Sequence, residues 1–504
     1  LAEEIPQPRG EEIFFGLCAA IGTSMDKIVG NLKNALSAVN YDLSEVKLSR
    51  LLAALQTGTA LPKVRDETYY HSYMKAGNDL REKSGMKDAV ALLGVSQIRK
   101  EREEKMGDSY TPIPRHAYVF NSLKHPSEVD SLRMIYGRSF SLISVYLPRK
   151  ERRDKLATDF EEIHSNHNKE HFFPQAESLI NKDEAETDNE FGQDVRDTFP
   201  KGDLFLDAKD NTKLQSGLDR YVRLMFGYQF HTPTKDEYSM FVARAVAVRS
   251  AALGRQVGAV VSTTDGDIIA VGTNEVPKGG GGLYWEDDSP PRLDGRDFAK
   301  IGADPNDERK RKMIAEMFTR LKANSWLSPE LNARSAIELA SKSLDTVLAG
   351  AEVVDLIAFD RTVHAEMAAI TDAARRTIPV ENCVLYTTTF PCHNCAKHII
   401  ASGITRCIYI EPYPKSRTFD LHDDAITHDQ PLQEGKTSFE SFMGIAPRIY
   451  LQYFTALDRK GDDGKILGWT PANSNPRYVK ATLSYLTEET IHLKEFDDKY
   501  KGSK

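Results

Sequence analysis

Two short patterns, His364-Ala365-Glu366 and Pro391-Cys392-His393-Asn394-Cys395, with Cys392 lying 28 residues after the histidine, constrain this chain more than anything else in it. One imidazole and two thiolates make a donor set that suits Zn²⁺ and leaves its fourth tetrahedral position open. A purely structural zinc site fills all four positions with protein atoms, so an open one points to chemistry on water. The donors can converge only if the local frame brings them together. Val363 to Arg375 reads as a helix, with Val363, Met367, Ile370 and Ala374 on one face. Val384 to Thr388 reads as a strand, and Phe390 and Pro391 turn the chain. Cys395 to Ser402 reads as a second helix stopped by Gly403, and Arg406 to Ile410 as the next strand. Both cysteines then lie at a helix start, where unpaired backbone N–H groups stabilise thiolates. Cys383 and Cys407 lie in or beside apolar strands and read as ordinary buried cysteines, and His393 reads as a solvated loop residue.

The pattern H-x-E…P-C-x-x-C resembles that of the zinc nucleobase deaminases. The resemblance implies that His364, Cys392 and Cys395 hold Zn²⁺, which lowers the pKa of a water. Glu366 would take that water's proton, pass it to N3 of cytosine and help the ammonia leave. Further residues narrow the likeness. Thr234-Lys235-Asp236-Glu237 has the form of a capping box ahead of a helix from about Tyr238 to Leu253. Gln256 to Ser262 and Asp267 to Gly272 read as two strands around the turn Thr264-Asp265-Gly266. With Arg249-Ser250-Ala251-Ala252 and Gly272-Thr273-Asn274-Glu275-Val276-Pro277, these segments resemble a deoxycytidylate deaminase domain. That resemblance implies a sugar-contacting role for Asn274 and places Tyr413 and Lys415 where relatives help hold phosphate. Two additions depart from the small deaminases: an insertion over residues 279–350, expected to hold helices at Asp307 to Ala323 and Ser328 to Leu348, and a C-terminal extension over residues 417–504. The glycine run and Trp285-Glu286-Asp287-Asp288 suggest a lid or an oligomer contact.

With 504 residues the chain exceeds one core, and 40% hydrophobic with 28% charged residues is an ordinary globular balance. A formal net charge of −8 gives no global positive field to attract nucleic acid. There is no run of 18 apolar residues and no basic-then-apolar signal at Leu1-Ala2-Glu3-Glu4-Ile5, so a cytoplasmic protein with no membrane partner is expected. Five cysteines, two assigned to zinc, make no disulfide framework. An opening Leu1 is expected to have lost its initiator.

In the amino-terminal half, Ile13-Phe14-Phe15 reads as a buried strand and residues 16–24 as a loop. Met25 to Val39 follows as a helix, and such a junction can hold an anion. The phosphate-loop pattern G-x-x-x-x-G-K-[ST] is met by Gly22 and Ser24, but Leu17 stands for its first glycine and Thr23 for its lysine. Gly16, Gly22, Thr23 and Ser24 are therefore candidate nucleotide contacts without the means for phosphoryl transfer. Ala76 to Arg81, Ala117 to Lys124 and Ser141 to Tyr146 resemble elements of a P-loop nucleoside monophosphate kinase, and Arg149, Arg152 and Arg153 its phosphate-covering lid. His164, His167 and His171 are spaced too irregularly for a metal site. The expected fold is α/β: residues 1–229 form a degenerate P-loop kinase-like doubly wound domain. Residues 230–504 form a cytidine-deaminase-like α/β/α domain with a helical insertion.

That order of domains resembles the bacterial anti-phage dCTP deaminases. The resemblance implies conversion of dCTP, and of dCMP, to deoxyuridine nucleotides that starves phage replication. It also implies a homo-oligomer, a nucleotide effector at the amino-terminal domain and restraint by a small inhibitory RNA. The readings it competes with are a housekeeping dCMP deaminase supplying dTMP, a polynucleotide-editing deaminase, and an inactive nucleotide sensor or RNA-binding regulator.

Overall fold

The structure, a computed structural model, describes residues 12–55, 61–164, 168–186, 189–288, 294–344, 346–356, 359–413, 416–428, 433–477 and 482–502. Two compact units emerge, Leu1–Glu237 with Met443–Lys504, and Tyr238–Phe442. The first carries strands β1 (Ile13–Ala19), β2 (Asp42–Lys47), β3 (His116–Asn121), β4 (Phe140–Tyr146) and β5 (Leu204–Asp207). They run parallel in the order β5-β4-β1-β3-β2. A central strand of a parallel sheet is covered on both faces, which is why β1 reads as a continuous apolar run and every residue of it is buried. Helices Met25–Ser37 and Asn211–Met225 contribute to one core cluster, Ala89–Met106 and Pro126–Tyr136 to another.

Gly16 departs from its expected loop position: it lies inside β1. A Cβ there would stand 2.6 Å from Leu123 Cδ1 and 2.9 Å from the Phe140 ring, so the glycine serves close packing within the sheet. The expected phosphate-covering arginines also differ. Arg149 pairs with Glu177 and Glu184, and the buried Arg152 with Glu184. Arg153 pairs with Asp154 and lies 4.2 Å from the Phe173 ring centroid. Their charges hold helix Arg149–His164 to helix Phe173–Glu184. His164 pairs with Glu67 and stacks on Phe172, while His167 lies outside the described residues.

The second unit holds β6 (Gly258–Ser262), β7 (Ile268–Thr273), β8 (Val384–Thr389), β9 (Arg406–Glu411), β10 (Ile426–His428) and β11 (Thr437–Ser441), ordered β10-β11-β9-β8-β6-β7. β8, β9, β11 and β10 are parallel, and β6 is antiparallel to both its neighbours. The capping box forms: Glu237 N donates to Thr234 Oγ1 at 3.1 Å, and Thr234 N donates to Glu237 Oε2 at 2.7 Å. Helix Lys235–Ala247 follows. The β6–β7 hairpin turns at Gly266, with φ +95°. In the insertion, Pro305–Ala323 is a helix as expected. The single helix expected over Ser328 to Leu348 is two, Pro329–Asn332 and Ala336–Leu344. Among the described residues no helix is long and apolar enough to cross a membrane.

The C-terminal extension divides. Residues 417–442 complete the second sheet through β10 and β11, whereas the chain from Met443 returns to the first unit. There Gly444–Ile445, strand β12, pairs antiparallel with the β5 edge, and Tyr485, Leu486 and Phe496 of helix Thr482–Gly502 join its core. The reason is the open β5 edge and the buried ionic partners that wait for Glu489.

Candidate active site

His364 and Cys392 are each the residue immediately before a helix, Ala365–Arg375 and His393–Ala401, and neither caps its helix with its side chain. The side chains therefore project from two helix starts toward one another. His364 Nδ1 lies 3.3 Å from Cys392 Sγ and 3.4 Å from Cys395 Sγ, and one donor atom from each of the three falls within 4.8 Å of the others. Metal–ligand lengths of about 2.0 Å to nitrogen and about 2.3 Å to sulfur give a tetrahedral N···S edge of about 3.5 Å. The three donors fit a Zn²⁺ held through Nδ1. Hydrogen bonding to Cys395 and to His364 holds the Cys392 thiol well below its ordinary range, while the Cys395 thiol is pushed up. His364 is held up to about 11 by Asp360 and Cys392. Such a cluster keeps protons that a cation displaces.

Glu366 sits in the first turn of helix Ala365–Arg375 and is 4% exposed. Burial pushes its carboxyl up to about 7, where it can both accept and return a proton near neutrality. Asp360, which no sequence pattern singled out, places Oδ2 3.7 Å from His364 Nε2. Its other oxygen accepts from Thr362 N at 2.8 Å, which fixes the carboxylate beside the ring. The only sequence signal is an acidic residue four positions before the histidine, and that is common by chance. The ring nitrogen turned from the donors thus faces a carboxylate, the usual outer partner of a metal-bound imidazole.

Glycine at 272 brings this helix onto the sheet. A Cβ there would stand 2.2 Å from Ala365 O and 2.4 Å from Ala369 N. Directly after β7, Glu275 and Val363 exchange backbone hydrogen bonds of 3.3 and 3.0 Å, which joins the Asn274 loop to the residue preceding His364. Asn274 Oδ1 accepts from Val257 N and its Nδ2 donates to Arg255 O, each at 2.7 Å. The carboxamide therefore clamps the loop before β6. Buried Glu275, also missed in the sequence, accepts from Ala251 N and Val276 N. Beside it the Arg249 guanidinium lies 3.5 Å from the Trp285 ring centroid and donates to Leu283 O and Tyr284 O. Tyr413 packs against the core of this unit just after β9, and Lys415 lies outside the described residues. His393 starts a helix and is half-buried, unlike the solvated loop residue expected. Cys383 and Cys407 are buried free thiols. Of the amino-terminal candidates, Gly22 (φ +90°), Thr23 and Ser24 lead into helix Met25–Ser37 in the other unit.

Residues 233–411 match the family described as the cytidine and deoxycytidylate deaminase zinc-binding region. Deoxycytidylate deaminase of Enterobacteria phage T2 is 44% identical over 55 residues, 11% of this chain and 29% of that protein. ComE operon protein 2 of Bacillus subtilis (strain 168) is 42% identical over 53 residues, 10% of this chain and 28% of that protein. The chain thus aligns with less than a third of the length of these relatives. Among solved structures, dCMP deaminase from the cyanophage S-TIM5 in complex with dCMP and dUMP aligns at 17% identity. It covers 42% of this chain and 98% of its own, with a TM-score of 0.22. The C-terminal part of the chain contains a deoxycytidylate deaminase-type domain.

Proposed function

We propose, on the premise that residues 233–411 form a cytidine and deoxycytidylate deaminase zinc-binding region, that the second unit hydrolyses the C4 amino group of dCTP and dCMP. The single observation that carries the reading is the convergence of His364, Cys392 and Cys395 beside a buried, near-neutral Glu366. When bound, Zn²⁺ supplies the positive charge that makes a water acidic enough to lose a proton near neutral pH. Glu366 accepts that proton and delivers it to ring nitrogen N3. Water oxygen adds at C4, the C4–N4 bond breaks, and ammonia and a deoxyuridine nucleotide result. Asp360 holds the His364 ring. Asn274 orients the sugar while clamping residues 255–257, and Tyr413 and Lys415 are the candidate phosphate contacts.

Depletion of deoxycytidine nucleotides during phage infection is the biological role that the domain order supports, in a cytoplasmic homo-oligomer restrained by a small RNA. A housekeeping dCMP deaminase is the second reading, favoured by the T2 enzyme's likeness. Polynucleotide editing fits the net charge of −8 poorly. Incubating zinc-loaded protein with dCTP, dCMP, CTP and single-stranded DNA and chromatographing the products separates these readings. Loss of dCTP with release of dUTP is expected. Consumption of dCMP alone selects the housekeeping role, and no deoxyuridine nucleotide from either substrate overturns the proposal.

A further inference from the structure

The Asp360 carboxylate lies against the His364 ring, yet residues 359–362 belong to no helix or strand. Such a segment has no repeating hydrogen bonds, so each of its polar groups needs a partner of its own. An outer carboxylate orients a ligating ring only as firmly as its own backbone is fixed. On the carboxyl side of Asp360 the Val363–Glu275 backbone pair does the fixing. On the amino side, and at Arg361, the partners come from the insertion.

Asn306, buried at the second position of helix Pro305–Ala323, uses both ends of its carboxamide. Its Oδ1 accepts from Phe359 N at 3.2 Å, and its Nδ2 donates to Leu356 O at 2.8 Å. The side chain thus stands in for one peptide unit of a neighbouring strand. Asp304, the residue before the helix, holds Asn306 in turn by accepting from its N–H at 2.8 Å. One turn further on, Lys310 Nζ donates to Val354 O at 3.0 Å. Beside it the Arg309 guanidinium lies 5.5 Å from the Phe359 ring centroid.

A second grip closes on the residue after Asp360. Arg361 donates through Nη1 to Asp297 and through Nη2 to Gly295 O, the latter at 3.1 Å. Asp297 is 5% exposed, so its carboxylate does not trade the guanidinium for solvent.

We propose that the insertion braces the metal site: Asn306, Asp297 and Arg361 are positioning residues that act on His364 through Asp360. The inference rests on the reading of His364, Cys392 and Cys395 as a zinc site. It concerns how firmly the ion is kept, not the deamination step.

Zinc affinity of the full chain, measured against a chromogenic chelator, tests it without reference to turnover. Asn306→Ala and Asp297→Asn should each bind Zn²⁺ about 3- to 10-fold more weakly. Trp326→Ala, at a 76% exposed position of the same insertion, should bind as the wild type does. The visible absorption of the Co²⁺-loaded protein, which reports ligand geometry, should shift in the first two and not in the third. Adding Asn306→Ala to Asp360→Asn should weaken binding by less than about a further twofold, since both act through one carboxylate. Fully multiplicative losses overturn the route through Asp360, and an equal loss in Trp326→Ala overturns the brace. Wild-type affinity and spectrum in folded Asn306→Ala and Asp297→Asn overturn the brace and leave the zinc reading intact. No zinc bound by the wild type overturns that reading and the brace with it. Should both variants fail to fold, Arg361→Lys keeps the charge but cannot span Asp297 and Gly295 O, and unchanged zinc affinity there overturns the proposal.

Discussion

Asp360 lies against the His364 ring and Glu366 is buried in the first turn of the helix that His364 precedes, and on the proposed function their substitutions separate chemistry from metal retention. Glu366→Gln keeps the side chain's shape while removing the base. It is expected to lower kcat by about 10²–10⁴-fold with zinc content unchanged, read by ammonia release and elemental analysis. Asp360→Asn leaves all three donors in place but weakens the hold on the His364 ring, 3.7 Å away. A 10- to 100-fold loss of zinc affinity, about the range for outer partners of a ligand, is expected in competition with a chromogenic chelator. Exhaustive chelation of the wild type should abolish deamination and lower Tm, with Zn²⁺ restoring both. His364, Cys392, Cys395 and Glu366 were legible because donor chemistry and spacing together are rare. Asp360 was not, because an aspartate at that distance acquires meaning only when residues 360–364 curl to place it against Nε2.

At the scale of elements, helix Ala365–Arg375 is positioned by what β7 lacks. Gly272→Ala would force a Cβ into backbone atoms of Ala365 and Ala369 at 2.2 and 2.4 Å, and neither can move without the helix. A loss of about 1–3 kcal/mol in denaturant unfolding is expected, together with reduced zinc occupancy, because His364 and Glu366 begin that helix. Asn274→Ala removes two 2.7 Å hydrogen bonds from the 255–257 loop. It should raise KM more than it lowers kcat, a split that steady-state kinetics with dCMP reads directly. The helix and strand around the ligands matched their expected ranges closely, since amphipathic periodicity and Gly403 mark them. Gly16 was misplaced because a glycine reads as a loop residue until its neighbour Leu123 is known to press on it.

At the scale of the whole chain, a buried ionic cluster ties segments from near its two ends together within the amino-terminal unit. Arg102 is fully buried between Glu12 and Glu489, with ion pairs of 2.8 and 2.7 Å, and Tyr485 donates to Glu12 at 3.0 Å. Arg102→Met leaves two buried carboxylates without a cation. It should destabilise this unit by about 3–5 kcal/mol in urea or calorimetric unfolding. Glu489 lies 387 residues from Arg102, and no pattern in the sequence links them. For that reason the tail read as an extension of the nearer domain, whereas from Met443 it completes the first.

The sequence by itself determined the three converging donors, the carboxyl group two residues from the histidine, the α/β class and the frame that brings the donors together, because each depends on residue chemistry at short range. Only the tertiary structure decided the partner of the His364 ring, the close approach at Gly272 and the unit to which the tail belongs. It alone brought Asp183 within 2.8 Å of Lys124. These are contacts between segments far apart in the chain, fixed by which buried charges and open sheet edges find complements when the core closes.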